Sequence, residues 1–168
     1  TVNEGMLHHF NKLAELHLGG NFRAIQSNAF SKLLNLEKLT LNNVSLTKIK
    51  DDAFGSNSSL TYLNLTSTKM ELIPTNVFHS LVNVQVLDLT DNNEMMVCSS
   101  DLTNIGEEFK LLSSLKKLKM DNIGNYGGRC RYISHNYFDP ISQVSELHLS
   151  ESGFLEGPQT LLKPLINL

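Results

Sequence analysis

The chain lacks an excess of either charge: 14 Lys and Arg against 17 Asp and Glu leave a formal net charge of -3 over 168 residues, with a pI near 6.0. That balance gives no electrostatic reason to expect nucleic acid or an anionic membrane surface as a partner. It also lacks any apolar run approaching the roughly 18 residues that a membrane-crossing helix needs. The opening Thr1-Val2-Asn3-Glu4 has neither a basic segment nor an apolar one of signal-peptide type. The expectation is a soluble, already trimmed stretch of a longer protein. Cysteine is scarce, with only Cys98 and Cys130, so no C-x-x-C pair exists. H-E-x-x-H, P-loop and G-x-S-x-G patterns are missing as well, and no spacing of Ser, His and Asp converges on one pocket. Catalysis is therefore not expected, and no catalytic, cofactor-binding or metal-binding residue is assigned.

What the chain does have is leucine at a fixed period. The frame L-x-x-L-x-L recurs as Leu13/Leu16/Leu18, Leu36/Leu39/Leu41, Leu60/Leu63/Leu65, Val84/Leu87/Leu89, Leu115/Leu118/Met120 and Val144/Leu147/Leu149, and Leu168 opens a further unit. Successive starts lie 23, 24, 24, 31 and 29 residues apart. A second marker sets the same register independently, because an aromatic stands six residues before each new start, at Phe30, Phe54, Phe78, Phe109 and Phe138; Leu7 holds that place before Leu13. Hydrophobic content of 40% supplies enough material for a sizeable core.

In an extended segment alternate side chains point to opposite faces, so the second and third frame leucines face inward and the residue between them faces out. One unit cannot enclose its own apolar face. Stacking units as parallel strands about 4.8 Å apart lets each leucine layer cover the next, at roughly 1.5 to 3 kcal/mol for each fully buried Leu or Phe. The expected fold is an α/β solenoid over residues 1–168, with about six repeats, a concave parallel sheet and irregular convex returns. Two of those repeats, 84–114 and 115–143, are long, and no caps are seen. Bare leucine-lined ends would make such a stretch prone to aggregation or dependent on a capping partner.

Repeats of this length with L-x-x-L-x-L-x-x-N and a late Phe resemble the leucine-rich repeat superfamily in its extracellular subclass, which implies a horseshoe. The ninth position departs from that pattern, reading Asn21, Val44, Thr68, Asn92, Ile123 and Ser152. An Asn there satisfies backbone groups of the adjoining turn, which Val44 and Ile123 cannot do.

The extra length of the two long units falls after the strand, and it contains Cys98 in one and Cys130 in the other. Counted from their unit starts the two thiols stand at nearly the same height on neighbouring coils. A Cys98–Cys130 disulfide is expected, because the strand spacing falls within the Cα separation a disulfide spans. It would add about 3 to 4 kcal/mol and imply an oxidising compartment; two reduced, buried cysteines are the alternative. Three sequons point the same way, at Asn43, Asn57 and Asn64. Asn64 projects from the concave strand, where a glycan would obstruct a ligand.

The outward column between the inner leucines reads His17, Thr40, Asn64, Asp88, Lys119 and His148. It forms either a recognition surface or an ordinary solvated face. Asp88 and Lys119 are expected to pair across neighbouring strands, as an exposed contact worth about 0 to 1 kcal/mol. Lys110, Lys116, Lys117 and Lys119 form the one dense basic cluster, diluted by Glu107, Glu108 and Asp121. Gly124-Asn-Tyr-Gly-Gly128 gives the second long loop backbone freedom. Beside it, Tyr126, Arg129, Arg131 and Tyr132 are of types enriched in binding hot spots.

The full 24-residue units with Phe54 and Phe78, the uneven ninth position, the two long cysteine-bearing units and the sequons together resemble a Toll-like receptor ectodomain. That resemblance implies recognition of a microbial or protein ligand, pairing into a receptor homo- or heterodimer, and residence at the extracellular face or in the endosomal lumen. A secreted matrix or adhesion protein, or an antigen receptor without its own signalling domain, shares most of these features.

Overall fold

The computed structural model describes residues 1–96, 106–124 and 137–152. Its backbone is a right-stacked coil built on one sheet of six strands: β1 (Glu15–Leu18), β3 (Lys38–Leu41), β5 (Tyr62–Asn64), β6 (Val86–Asp88), β7 (Lys117–Lys119) and β8 (Glu146–His148). Neighbours in that order are parallel, and the second frame leucine pairs with its counterpart at every step, Leu16 with Leu39, Leu63, Leu87, Leu118 and Leu147 in succession. The expected register therefore holds across all six units, the long ones included. Leu39, Leu41, Leu63, Leu65, Leu87, Leu89, Leu118 and Met120 are fully buried. Leu16, Leu18, Leu147 and Leu149, in or next to the first and last of these strands, are partly covered.

Among the described residues the returns are short turns with little regular structure: α1 (Glu4–Leu7) and the 3-10 turns η1 (Glu107–Phe109) and η2 (Asp139–Ile141). A second, two-stranded parallel sheet, β2 (Ala24–Ile25) with β4 (Lys48–Ile49), lies in the returns of the first two units, and Val2 adds a bridge to Ile25. Leucine periodicity gave no sign of it. Phe30, Phe54, Phe78 and Phe109 stack in a column at centroid separations of 5.7, 6.4 and 6.5 Å. The rings then turn edge-on: Tyr137 meets Phe109 at 5.8 Å and Phe138 at 5.1 Å. Aromatic pairs favour either geometry, so the longer unit keeps its core filled by inserting one more ring.

Several buried polar side chains are bonded from coil to coil, while the buried Ser31 and Ser80 hydroxyls have no partner among the described residues. The ninth position does this where it can: Asn92, fully buried, donates through Nδ2 to the Leu65 and Leu89 carbonyls at 2.9 and 2.7 Å and accepts from the Thr68 N–H and hydroxyl at 3.0 and 2.8 Å. Ser152 donates its hydroxyl to the Met120 carbonyl. Val44 and Ile123 put apolar side chains into the core at the same place.

Two further ladders escaped the leucine frame. At the eighth position every unit turns through positive φ, at Gly20, Asn43, Ser67, Asp91, Asn122 and Glu151. The N–H groups of Asn43, Ser67, Asp91 and Asn122 donate to the next coil's carbonyls at Thr66, Thr90, Asp121 and Ser150. Asn and Asp tolerate that conformation better than other non-glycine residues. Just before each strand, Asn35, Ser59, Asn83 and Gln143 donate to carbonyls of the preceding coil at 2.8, 2.7, 2.6 and 2.9 Å.

Candidate functional site

The strand frame leaves two outward columns on the concave sheet. The one expected from sequence is in strict lateral register, His17 beside Thr40, then Asn64, Asp88, Lys119 and His148. Register alone does not make each of them available. Thr40 and Asp88 are buried at 8% and 6% exposure. Asp88 turns its carboxylate back onto the Thr90 N–H at 3.1 Å and the Lys119 ammonium at 3.3 Å. The Asp88–Lys119 pair expected from sequence is thus present, but it is not the exposed contact foreseen: crowding on the inside of the curve covers Asp88. His17, Lys119 and His148 keep solvent access.

The second column, two residues earlier in each strand, reads Glu15, Lys38, Tyr62, Val86, Lys117 and Glu146. Sequence reasoning passed over it, although the same alternation that selects His17 selects Glu15. Its order is symmetric about the middle: acid, base, tyrosine, valine, base, acid. Lys38 faces Glu15 at 3.8 Å, and Lys117 bonds Glu146. At each end the glutamate also meets the histidine two residues on, Glu15 with His17 at 3.1 Å and Glu146 with His148 at 2.8 Å. Hydrogen bonds from Lys117 and then from His148 hold the Glu146 carboxyl below its ordinary value. The centre, Tyr62 and Val86, is half-exposed and the least polar part of the face.

The basic cluster is largely neutralised in place. Lys117 is paired with Glu146, Lys119 with Asp88, and Lys110 with Glu107 at 3.3 Å. This leaves no concentrated positive field on the described sheet.

Of the sequons, Asn43 is exposed at an eighth-position turn and Asn64 is half-exposed on β5. Asn57 is buried at 2% exposure, and its Nδ2 donates to the Leu33 carbonyl at 3.2 Å. Tyr126, Arg129, Arg131 and Tyr132, and the cysteines Cys98 and Cys130, lie outside the described residues.

On the convex side, η1 and η2 are joined by the Tyr137 hydroxyl, which donates to the Glu108 carboxylate at 2.9 Å. Burial pushes the Glu108 carboxyl up from its ordinary range, against the lowering effect of the hydrogen bonds it accepts. Burial, reinforced by the nearby Glu108 charge, also pushes the Tyr137 hydroxyl well up. The two coils approach so closely here that Gly106, at φ 77°, has no room for a side chain: a Cβ would stand 2.2 Å from the Tyr137 carbonyl oxygen. Among the described residues no helix is long and apolar enough to cross a membrane, and no group of His, Cys, Asp and Glu is arranged to hold a metal ion.

A curved parallel sheet, inward leucines and a phenylalanine column define a leucine-rich repeat solenoid. Residues 34–93 match the leucine rich repeat family model. The whole fold resembles a chain of the solved TLR13-ssRNA13 complex, with a TM-score of 0.86 and 24% identity over 99% of this chain and 23% of that one. Mouse osteomodulin is 28% identical over 93% of this chain. The chain spans 40% of the length of osteomodulin.

Proposed function

We propose that this chain is a ligand-recognition segment of an extracellular leucine-rich repeat receptor of the Toll-like kind. It binds a microbial or protein ligand and supports receptor pairing. The observation that carries this reading is the division of labour on the sheet. Core packing and the coil-to-coil ladders use the inward leucines and the polar residues at the strand ends. The outward residues His17, Lys38, Tyr62, Val86, Lys117, Lys119 and His148 are left without a part in holding the core. A half-exposed Tyr62 and Val86 flanked by bases matches the usual anatomy of an interface, an aromatic anchor inside a polar rim. An open face of this kind excludes water poorly, so binding and not catalysis is the activity proposed.

The test is a panel of microbial products and extracellular matrix proteins, applied to the full protein and to Tyr62→Ala and Lys117→Ala variants. Loss of about tenfold or more in affinity for one microbial or protein ligand, with an unchanged melt, supports the reading. A ligand whose affinity ignores both variants refutes the concave face as the site.

The likeness to osteomodulin favours a second reading, a secreted matrix or adhesion protein built on the same repeats. A membrane span and signalling domain in the parent chain would separate the receptor from it. Both readings place the protein outside the cell or in the lumen of the secretory pathway.

A further inference from the structure

The three N-glycan acceptor sequences meet different surroundings in the fold. A glycan hangs from the side-chain amide nitrogen, so that nitrogen must face solvent with space beyond it once folding is complete. Asn57 fails this test, since its Nδ2 is spent on Leu33 and its Oδ1 accepts the Ser59 N–H at 3.3 Å. A sugar there would wedge two coils apart. Asn64 sits between the buried Thr40 and Asp88. Its Oδ1 accepts the Thr66 N–H at 2.8 Å and its Nδ2 donates to the Tyr62 hydroxyl at 3.3 Å, so both ends of the amide are engaged.

Asn43 differs in each respect. It is exposed, its backbone is in the left-handed region at φ 52°, and only its main-chain N–H is engaged, with the Thr66 carbonyl at 3.3 Å. It stands on the rim of a lateral groove of about 420 Å³, whose walls include Ser45, Ser67, Lys69, Asn93 and Glu94. Those walls offer both donors and acceptors, which is what the hydroxyl and acetamido groups of a sugar require.

We infer that Asn43 is the glycosylated position of the described chain, with its first sugars laid in the lateral groove, while Asn57 and Asn64 stay bare and the concave sheet stays open. The inference rests on the extracellular reading above, because the donor is a polyprenyl-diphosphate-linked oligosaccharide of the secretory pathway. Transfer forms a bond from Asn43 Nδ2 to C1 of the reducing-end sugar and breaks that carbon's bond to the diphosphate oxygen. The amide proton is lost, and the lipid diphosphate leaves.

The full protein is expressed through the secretory pathway of a mammalian cell line and digested. Its peptides are deglycosylated enzymatically in heavy-oxygen water, which converts each occupied Asn to a heavy Asp that mass spectrometry locates. Label at Asn43 in most molecules, and none at Asn57 or Asn64, is the expected result. A bare Asn43, or label at either of the others, overturns the inference. Hydrogen exchange checks the groove: in the Asn43→Gln variant, which lacks the glycan, residues 91–96 lose protection relative to the glycosylated protein. Equal exchange rates overturn the packing of sugar into the groove. A secreted protein with a bare Asn43 removes this inference alone, whereas a protein that never enters the pathway removes the extracellular reading as well.

Discussion

Replacing Asn92 with Leu, a side chain of similar shape, tests whether coil-to-coil polar bonding or leucine packing alone holds the middle of the solenoid. The amide is fully buried and serves four partners: two carbonyls, of Leu65 and Leu89, and the N–H and hydroxyl of Thr68. A buried donor or acceptor left without a partner costs about 1 to 3 kcal/mol. Four at the lower figure would give about 4 kcal/mol, offset in part by about 1 kcal/mol from the added apolar burial. The net expectation is a loss of about 3 kcal/mol. With a urea m-value of about 2 kcal/mol/M, the denaturation midpoint falls by about 1.5 M. Thr68→Val removes one end of the same network. The double variant should therefore lose less than the sum of the singles, with a coupling of about 1 kcal/mol or more. Val44 and Ile123 supply the internal control, because they already place apolar side chains at this position, and Val44→Leu should act only through packing. A loss below about 1 kcal/mol for Asn92→Leu, with strictly additive singles, would show that the turn needs no polar side chain.

Gly106→Ala is expected to destabilise by about 2 to 4 kcal/mol in a thermal melt, since it adds a clash with the Tyr137 carbonyl to a positive-φ penalty. Gly20→Ala, with open space around it, should cost only about 1 kcal/mol; equal losses at the two sites would contradict the close approach of η1 and η2. Phe78→Ala removes the middle of the stacked column and should cost about 3 to 5 kcal/mol, and an unchanged denaturation midpoint would deny the column its part in the core. For Glu108 the folded-state carboxyl is raised above its ordinary 4.5, so its contribution is fully present below that value and is lost as pH rises through the folded one. Glu108→Gln, which keeps an acceptor for Tyr137, should therefore gain on the parent as pH rises from 4 toward 7 in urea titrations. A stability difference that does not change across that window would refute the assignment.

The frame of six units was legible because leucine spacing and phenylalanine spacing are independent signals, and each reports a layer that must be continuous to be dry. The register followed from them. The Asp88–Lys119 pairing also followed, because lateral neighbours in a parallel ladder are fixed once the register is. Burial on the concave side did not follow: alternation says that Thr40 and Asp88 point outward, and only curvature decides how much room is left there. The buried Asn57 was hidden for a related reason. Its amide answers a carbonyl 24 residues earlier, a need that no local pattern records. Position eight carries a weaker signal, because the left-handed turn there admits Ser67 and Glu151 beside Gly20, Asn43, Asp91 and Asn122.

These ladders bear on how function can change without loss of fold. In each coil the polar residues with a structural task stand at the strand ends, before the first frame leucine and at the eighth and ninth positions, where carbonyls of the neighbouring coil must be met. Between them the column of Glu15, Lys38, Tyr62, Val86, Lys117 and Glu146 meets no such demand, unlike Asn64 and Asp88 of the other column, which accept the Thr66 and Thr90 N–H groups; its ion pairs, Lys38 with Glu15 and Lys117 with Glu146, join partly or well exposed side chains and so add little to stability. Exchanging Tyr62, Val86 and Lys117 for the residues of another repeat should therefore alter what the face binds and leave the melt within about 0.5 kcal/mol per substitution. The same exchange at the fully buried Asn92 should instead cost about 3 kcal/mol. If the outward exchanges proved as destabilising as the ladder ones, the sheet would be held by its concave surface, and that surface could not be the part free to recognise a ligand.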